Sequence, residues 1–282
     1  MIFDRLLVIA AALLFSTGGA AIKASSLTSW QIAGFRSGIA AVVLLLCFPG
    51  ARRGWTWRVL LTGVAYAATL VLFVAANKLT TSANAIFLQS TAPVYLLLLG
   101  PIVLHEPVQR IHVFGISAVA CGVILLLLGS EHAVATAPDP MRGNMFAAFA
   151  GAAWALTITG LRRIGKEALT SDVAIVPVIV GNLVAFVACL PAAVPVVHAS
   201  TADVLVVLYL GIFQVGLAYV AMTRGLRRVP GLEASILLMI EPVFNPIWSW
   251  LVHGERPSGL ALAGGTVIVL STFGATWWRN RR

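Results

Sequence analysis

Ten apolar stretches follow one another along the chain, and each is near the ~20 residues that an α-helix needs to cross a bilayer core. They lie at about 6–22, 30–49, 57–76, 84–104, 111–129, 143–161, 173–193, 203–223, 231–252 and 258–278. A soluble core helix shows a polar face at the 3.6-residue period, and most of these stretches show none. Because every backbone group in lipid must be paired within its own segment, helices are favoured over strands. The pattern predicts an all-α membrane protein with ten transmembrane helices.

Composition points to the same class. Of 282 residues, 60% are hydrophobic and 10% are charged, against roughly 45–50% and about 25% in soluble domains. The chain is therefore expected to lie in the membrane as a multi-pass protein, with lipid around it.

The first apolar stretch has a second interpretation, since Arg5 followed by an apolar run is typical of a cleaved signal peptide. However, the segment from Phe15 to Lys23 lines up with the segment from Trp154 to Arg162. A cleaved leader would have no reason to recur inside the mature protein. We therefore interpret the stretch as the first transmembrane helix.

One proline-containing segment occurs twice, 149 positions apart. The stretches 84–107 and 233–255 align so that Pro93 pairs with Pro242 and Glu106 with Glu255. Seven identities in a 31-residue window are weak evidence alone, because apolar segments resemble one another. A mid-segment proline and a boundary glutamate held in one register favour a duplicated chain.

Basic residues predict the orientation. With a cytoplasmic N-terminus, the inside loops hold fourteen Lys and Arg residues and the outside loops four. This bias follows the positive-inside rule and places both termini in the cytoplasm. It also accounts for the net charge of +9 through contacts with anionic lipids, so no nucleic-acid partner is needed.

The duplication predicts two domains, 1–137 and 138–282, with five helices each. Because five is odd, the second half enters the membrane upside down relative to the first, which makes the halves inverted repeats. Such pseudo-symmetry lets one chain adopt two mirror-related conformations, the geometric basis of alternating access in many carriers.

These features together resemble a known family. Ten spans in two halves, Pro93 and Pro242 within spans four and nine, and Glu106 and Glu255 at their ends resemble the drug/metabolite transporter superfamily, and more narrowly its EamA-domain exporters. The resemblance implies a secondary transporter of the bacterial inner membrane that exports amino acids, aromatic and other apolar or small ones. Another small metabolite or drug of the same superfamily is the alternative substrate.

The two prolines also indicate where a binding site would form. Each removes one helical hydrogen bond and frees a carbonyl one turn earlier, near Gln89 for Pro93 and near Leu238 for Pro242. Polar residues crowd both turns: Gln89, Ser90, Thr91, Ser235, Glu241 and Asn245. The hydroxyls either restore bonding at the broken backbone or line a site. The side-chain amide of Gln89 has more hydrogen-bond donor and acceptor positions than the groups of one broken turn can satisfy. We therefore expect it to line a cavity.

Two charges are predicted inside spans, where they are costly and mark functional candidates. Glu241 could carry a coupling proton, bind a substrate amine, or bond the backbone opened by Pro242, and the family resemblance favours the last. Arg36 could attract a substrate carboxylate or extend outward to the membrane surface.

Aromatic residues within the spans indicate the substrate. Phe15 and Trp154 occupy matching positions in the two halves, so symmetry would place both against the central axis. Aromatic walls with a few amides and hydroxyls suit a zwitterion with an apolar side chain. The predicted substrate-binding residues are Phe15, Tyr66, Thr69, Phe73, Phe87, Gln89, Trp154, Thr157, Gln214, Tyr219, Ser235 and Asn245; the predicted coupling or helix-break residues are Glu241, Pro93 and Pro242.

The sequence predicts no enzyme, cofactor or metal site. It contains no phosphate loop, zinc motif or catalytic triad, and its three cysteines lie in apolar stretches without metal-ligand spacing. An intramembrane enzyme would have little besides Glu241 and scattered hydroxyls, and a channel would lack a ring of charges. Transport would then use an ion or solute gradient or be facilitated diffusion. No sequence feature indicates an oligomeric state.

Overall fold

The computed structural model describes residues 2–99, 110–129, 133–167, 171–226, 228–229 and 231–279 and is built from helices. In chain order the α-helices are α1 (Ile2–Ser16), α2 (Gly18–Ala24), α3 (Ser29–Cys47), α4 (Trp57–Leu79), α5 (Ser82–Gln89), α6 (Ala92–Leu99), α7 (Arg110–Leu128), α8 (Pro140–Glu167), α9 (Ser171–Ala193), α10 (Thr201–Tyr209), α11 (Ala218–Gly225), α12 (Gly231–Leu238), α13 (Ile240–His253) and α14 (Gly259–Arg279). A 3₁₀-helix, Pro49–Arg52, precedes α4, and a π-helix, Leu210–Leu217, joins α10 to α11.

Seven helical segments within the described ranges are long and apolar enough to cross a membrane. They are Ile2–Ala24, Ser29–Cys47, Trp57–Leu79, Pro140–Ile164, Ile175–Ala193, Thr201–Gly225 and Ile236–His253. Shorter apolar helices cover Gly115–Leu128 and Gly259–Gly274, within two further predicted spans. The predicted span 84–104 and its boundary residues His105, Glu106 and Pro107 run beyond the described residues after Leu99. The predicted helical membrane class is confirmed, and the count of ten remains a prediction.

Side-chain caps fix where several helices begin. The Thr28 hydroxyl accepts a hydrogen bond from the backbone N–H of Gln31, and the side-chain oxygen of Gln31 accepts one from the backbone N–H of Thr28. This reciprocal pair starts α3. Ser200 and Asp203 form the same arrangement at α10. Asp203 also accepts hydrogen bonds from Ser25 Oγ at 2.8 Å and from the Ser26 amide at 2.6 Å. The loop after α2 is thereby attached to the start of α10.

Both proline-containing segments are broken helices. The first break separates α5 from α6 at residues 90–91, and the second separates α12 from α13 at Met239. At each break one backbone amide donates to the carbonyl three residues earlier instead of four. Thr91 N donates to Leu88 O at 3.2 Å, and Met239 N donates to Ile236 O at 3.1 Å. Proline has no N–H to continue the α-helical ladder, which explains both breaks.

A third break, in the first span, was not predicted. It falls at Thr17, between α1 and α2, and the Thr17 hydroxyl donates to Leu14 O at 2.7 Å. The two glycines that follow allow close contact with other helices. A Cβ on Gly18 would lie 2.7 Å from Gln214 Nε2, and one on Gly19 would lie 2.7 Å from Asn245 Oδ1. Both contacts require a residue without a side chain.

Helix packing brings the two halves of the chain together. Helix α4 packs against α8 and α9, α3 packs against α9 and the π-helix, and α1 packs against α11 and α13. Helix α7 packs against α14, and α5 packs against α13. Helices from residues 1–137 therefore contact helices from residues 138–282 at several places.

Candidate substrate site

Four predicted aromatic side chains form a continuous row across the junction. Phe15 contacts Tyr219 edge to face with ring centroids 5.1 Å apart, Tyr219 contacts Tyr66 at 5.7 Å, and Tyr66 contacts Trp154 at 6.2 Å. Both tyrosines are buried, whereas the two outer rings are partly accessible. We call these four residues the aromatic row. It joins helices α1, α11, α4 and α8 and offers a ring-lined surface to a ligand.

Arg36 lies beside the aromatic row and is buried. Its side chain is 1% exposed, so the structure does not support the interpretation that it extends to the membrane surface. Its Nη1 donates to Gln214 Oε1 at 3.3 Å, and its Nη2 donates to Leu70 O at 3.2 Å. The Nε atom has no hydrogen-bond partner among the described residues. Leu70 lies one turn after Tyr66 on α4, which places the guanidinium beside the aromatic row.

Gln214, one of the predicted site residues, is held between the first helix and Arg36. It is buried within the π-helix, and its Nε2 donates to Phe15 O at 3.4 Å. Its side-chain oxygen, Oε1, accepts the hydrogen bond from Arg36 Nη1. π-Helical turns occur frequently at functional sites, because they redirect side chains within a helix. Gln214 therefore orients the guanidinium beside the aromatic row.

Glu241 lies in the first turn of α13, directly after the helix break, and is partly buried. Within the described part of the chain, its carboxylate accepts no hydrogen bond from the backbone opened by Pro242. Trp248, two turns later on α13, donates to Ser16 Oγ on α1 at 2.9 Å. Glu241 therefore lies on the face of α13 that packs against α1, the helix that carries Phe15.

The polar residues at the first break restore bonding to its own backbone. Ser90 Oγ donates to Ile86 O at 2.8 Å and Thr91 Oγ1 donates to Leu88 O at 2.6 Å. Gln89, at the end of α5, is partly exposed. Its carbonyl oxygen would lie 3.2 Å from a Cβ on Gly151, so α8 approaches this break closely.

At the second break Pro242 is buried. The side chains of Ser235 and Pro93 lie outside the described residues.

Other predicted residues lie outside the aromatic row. Thr69 and Thr157 are buried, and their hydroxyls donate one turn back within their own helices, to Ala65 O at 3.0 Å and Ala153 O at 2.8 Å. Phe73 and Phe87 belong to a separate buried cluster.

Asn245 is also buried, against Gly19. Its side-chain oxygen and nitrogen have no hydrogen-bond partner in the described ranges.

Sequence reasoning missed a buried ion pair at one end of the predicted first and ninth spans. Lys23 Nζ lies 3.1 Å from Glu255 Oε1, and both side chains are 4% exposed. The ammonium also donates to Thr80 O at 2.8 Å and to Thr136 O. The other oxygen of Glu255 accepts from the Ser82 amide at 2.9 Å. Two opposite charges at the ends of apolar spans were the available signal, but the sequence interpretation used them only as boundary marks.

A second ion pair joins the opposite ends of the same two spans. Arg5 Nε lies 2.5 Å from Glu233 Oε1, and Arg5 Nη2 lies 3.2 Å from Oε2. Unlike the buried pair, these side chains are 43% and 31% exposed. The first and ninth spans are therefore connected by charge at both ends, with very different access to solvent.

Comparisons with known proteins identify the family of the chain. Residues 4–128 and 141–277 each match the EamA-like transporter family. Two Pseudomonas aeruginosa proteins, from strains UCBPP-PA14 and PAO1, are named pseudopaline exporter CntI; they are 26% and 25% identical over 278 residues, 94% of this chain and 93% of theirs. One crystal structure shares the fold with a TM-score of 0.66 at 21% identity, covering 99% of each chain. Since the family matches span most of the sequence, the chain belongs to the EamA-like transporter family, as a multi-pass membrane transporter and not an enzyme.

Proposed function

We propose that the protein is a secondary transporter that exports amino acids, aromatic and other apolar or small ones, across the bacterial inner membrane by alternating access. The aromatic row carries this proposal. It lies where helices from both halves of the chain meet, and buried polar groups of Arg36 and Gln214 lie beside it. Apolar walls with few, precisely placed polar groups are typical of sites for small organic ligands.

Export of a different small metabolite is the second candidate. The two similar P. aeruginosa proteins are named as pseudopaline exporters. Substrate identity can change within a family while the scaffold stays the same, because function depends on the site's side chains. Pseudopaline therefore belongs in any substrate panel.

The proposed architecture is ten spans in two inverted repeats, 1–137 and 138–282. Helix packing supports it, because equivalent elements contact one another across the junction: α3 with α9 and α7 with α14. The contact of α4 with α8 has its counterpart in that of α11 with α1. The two proline breaks, at positions 90–91 and 239, also follow the 149-residue spacing.

The two ion pairs suggest how access alternates. In the proposed orientation Lys23 and Glu255 lie at the outer end, where their network joins four segments and excludes water. Arg5 and Glu233 lie at the cytoplasmic end and remain partly exposed. This conformation is then closed at the outer side, and export requires the buried pair to separate.

Cysteine labelling tests the topology. In a variant lacking the native cysteines, single cysteines at Arg53 and Ala135, both exposed, should react with an impermeant maleimide from opposite sides. Arg53 should react only from the cytoplasm, because of the positive-inside bias. Reaction of both sites from one side would rule out this topology.

Transport by purified protein in proteoliposomes tests the function. Labelled tryptophan and threonine should enter faster than into protein-free vesicles, and a pH gradient across the membrane should be varied to show whether uptake is coupled to protons. Uptake of labelled pseudopaline is measured in the same vesicles. Pseudopaline uptake without any amino-acid uptake would favour the second candidate over the first.

A further inference from the structure

We propose that Arg36 and Glu241 are the two charged ends of a zwitterion site, in which Arg36 binds the substrate's carboxylate and Glu241 binds its ammonium group. The apolar side chain of the substrate would then lie along the aromatic row. This assignment rests on the proposed function and adds the groups that recognise the substrate's charges.

The first argument is the state of Arg36. A guanidinium that is 1% exposed is costly to bury unless it is paired with a charge. Among the described residues, its hydrogen bonds go to the neutral oxygens of Gln214 and Leu70, and its Nε atom has none. A carboxylate supplied by the substrate would provide the missing charge and accept from the planar donor fork.

The second argument is that Glu241 shows the converse arrangement. It is a carboxylate within a membrane span, and inside the described ranges it has no hydrogen bond and no ion pair with a basic side chain. Its place in the first turn of α13 gives partial compensation from the helix dipole. An ammonium group on the substrate would complete the pairing.

The third argument is the position of the two charges relative to the rings. Arg36 bonds to Leu70 O, one turn after Tyr66 on α4. Glu241 lies two turns before Trp248, on the face of α13 that packs against α1. The two charges form no ion pair with each other. Opposite charges on helices that carry the aromatic row or pack against it, and that do not neutralise one another, present a complementary field to a zwitterion.

A purely structural role is the competing explanation. Arg36 would then only connect α3 to α4 and the π-helix through its two hydrogen bonds. Such a role predicts that the variants lose stability without changing which ligand charges are recognised. Ligand analogues that lack one charge separate the two explanations.

Binding should be measured with tryptophan, with tryptamine, which lacks the carboxylate, and with indole-3-propionate, which lacks the amine. The parent protein should bind tryptophan about tenfold or more tightly than either analogue, because each analogue leaves one buried charge unpaired. This comparison needs no variant and is informative even if a variant does not fold. Equal affinities for the three compounds would overturn the assignment.

Two variants then assign each charge. Arg36→Gln should weaken tryptophan binding about tenfold to a hundredfold and leave tryptamine within about twofold. Glu241→Gln should weaken tryptophan similarly and leave indole-3-propionate within about twofold. Arg142→Gln, at an exposed arginine, is the matched control and should change none of the three.

The outcomes also separate this assignment from the proposed function. If the parent transports tryptophan but each variant weakens all three ligands equally, the zwitterion site is refuted and amino-acid export stands. If the parent neither binds nor transports tryptophan or threonine, the proposed function fails and the assignment fails with it.

Discussion

Glu255→Gln should destabilise the protein by about 3–5 kcal/mol and abolish transport, because it leaves the Lys23 ammonium buried without a counter-charge. The two side chains are 4% exposed and 3.1 Å apart. Glutamine keeps an acceptor for the Ser82 amide, so the change removes mainly the charge. Thermal unfolding in detergent, with tryptophan uptake measured in parallel, checks both effects.

Two controls separate charge from packing. The double variant Lys23→Met with Glu255→Gln removes both charges and should recover most of the lost stability. Arg142→Met breaks the exposed pair with Asp139, whose arginine side chain is 75% exposed, and should cost less than about 1 kcal/mol. A Glu255→Gln variant as stable as the parent would show that the buried pair does not hold this conformation.

Trp154→Ala should lower tryptophan transport about tenfold or more and change threonine transport much less. Trp154 ends the aromatic row and is partly accessible, with Tyr66 6.2 Å away. Removing the indole ring of Trp154 takes away apolar contact area that a large substrate buries on binding and a small substrate hardly uses. Initial rates of both substrates at equal protein density measure the difference.

The matched control is Trp250→Ala, the same change at a tryptophan on the ninth span that is 50% exposed. It should leave the ratio of tryptophan to threonine transport unchanged. An equal loss for both substrates in Trp154→Ala would mean that Trp154 supports only the fold.

The helical breaks were predictable because their cause is local. Pro93 and Pro242 lack the N–H that continues a helix, and this effect does not depend on tertiary packing. The break at Thr17 has no such signal. Its two following glycines are needed where Gln214 and Asn245 approach, and such contacts depend on distant parts of the chain.

Symmetry between the halves drew attention to two residues of the aromatic row. Phe15 and Trp154 were each expected to lie against a central axis, and the structure places them at the two ends of the row. Phe73 and Phe87 were placed in the same site by their position within spans, but they pack in another cluster. Span membership gives depth in the membrane, whereas the direction of a side chain depends on helix rotation, which the nearly uniform apolar pattern does not encode.

The charged residues illustrate the remaining limit. The sequence indicated that Arg36 is inside a span, but its burial is set by contacts with Leu70 and Gln214 on two other helices. Lys23 and Glu255 are separated by most of the chain, and nothing local to either predicts their pairing. Long-range electrostatic contacts appear only when the helices are assembled.

Counterflow measures the central claim most directly. Proteoliposomes loaded with unlabelled tryptophan should take up external labelled tryptophan faster, and to a transient overshoot, than unloaded vesicles. A carrier with one alternately exposed site behaves in this way because internal substrate binds the inward-facing site and is carried outward, which returns the site to the outside faster than an empty site returns. Threonine inside should also stimulate tryptophan entry, while protein-free vesicles should show neither effect. Tryptophan entry that is unaffected by internal substrate would indicate a channel, and absence of entry above protein-free vesicles would contradict amino-acid transport.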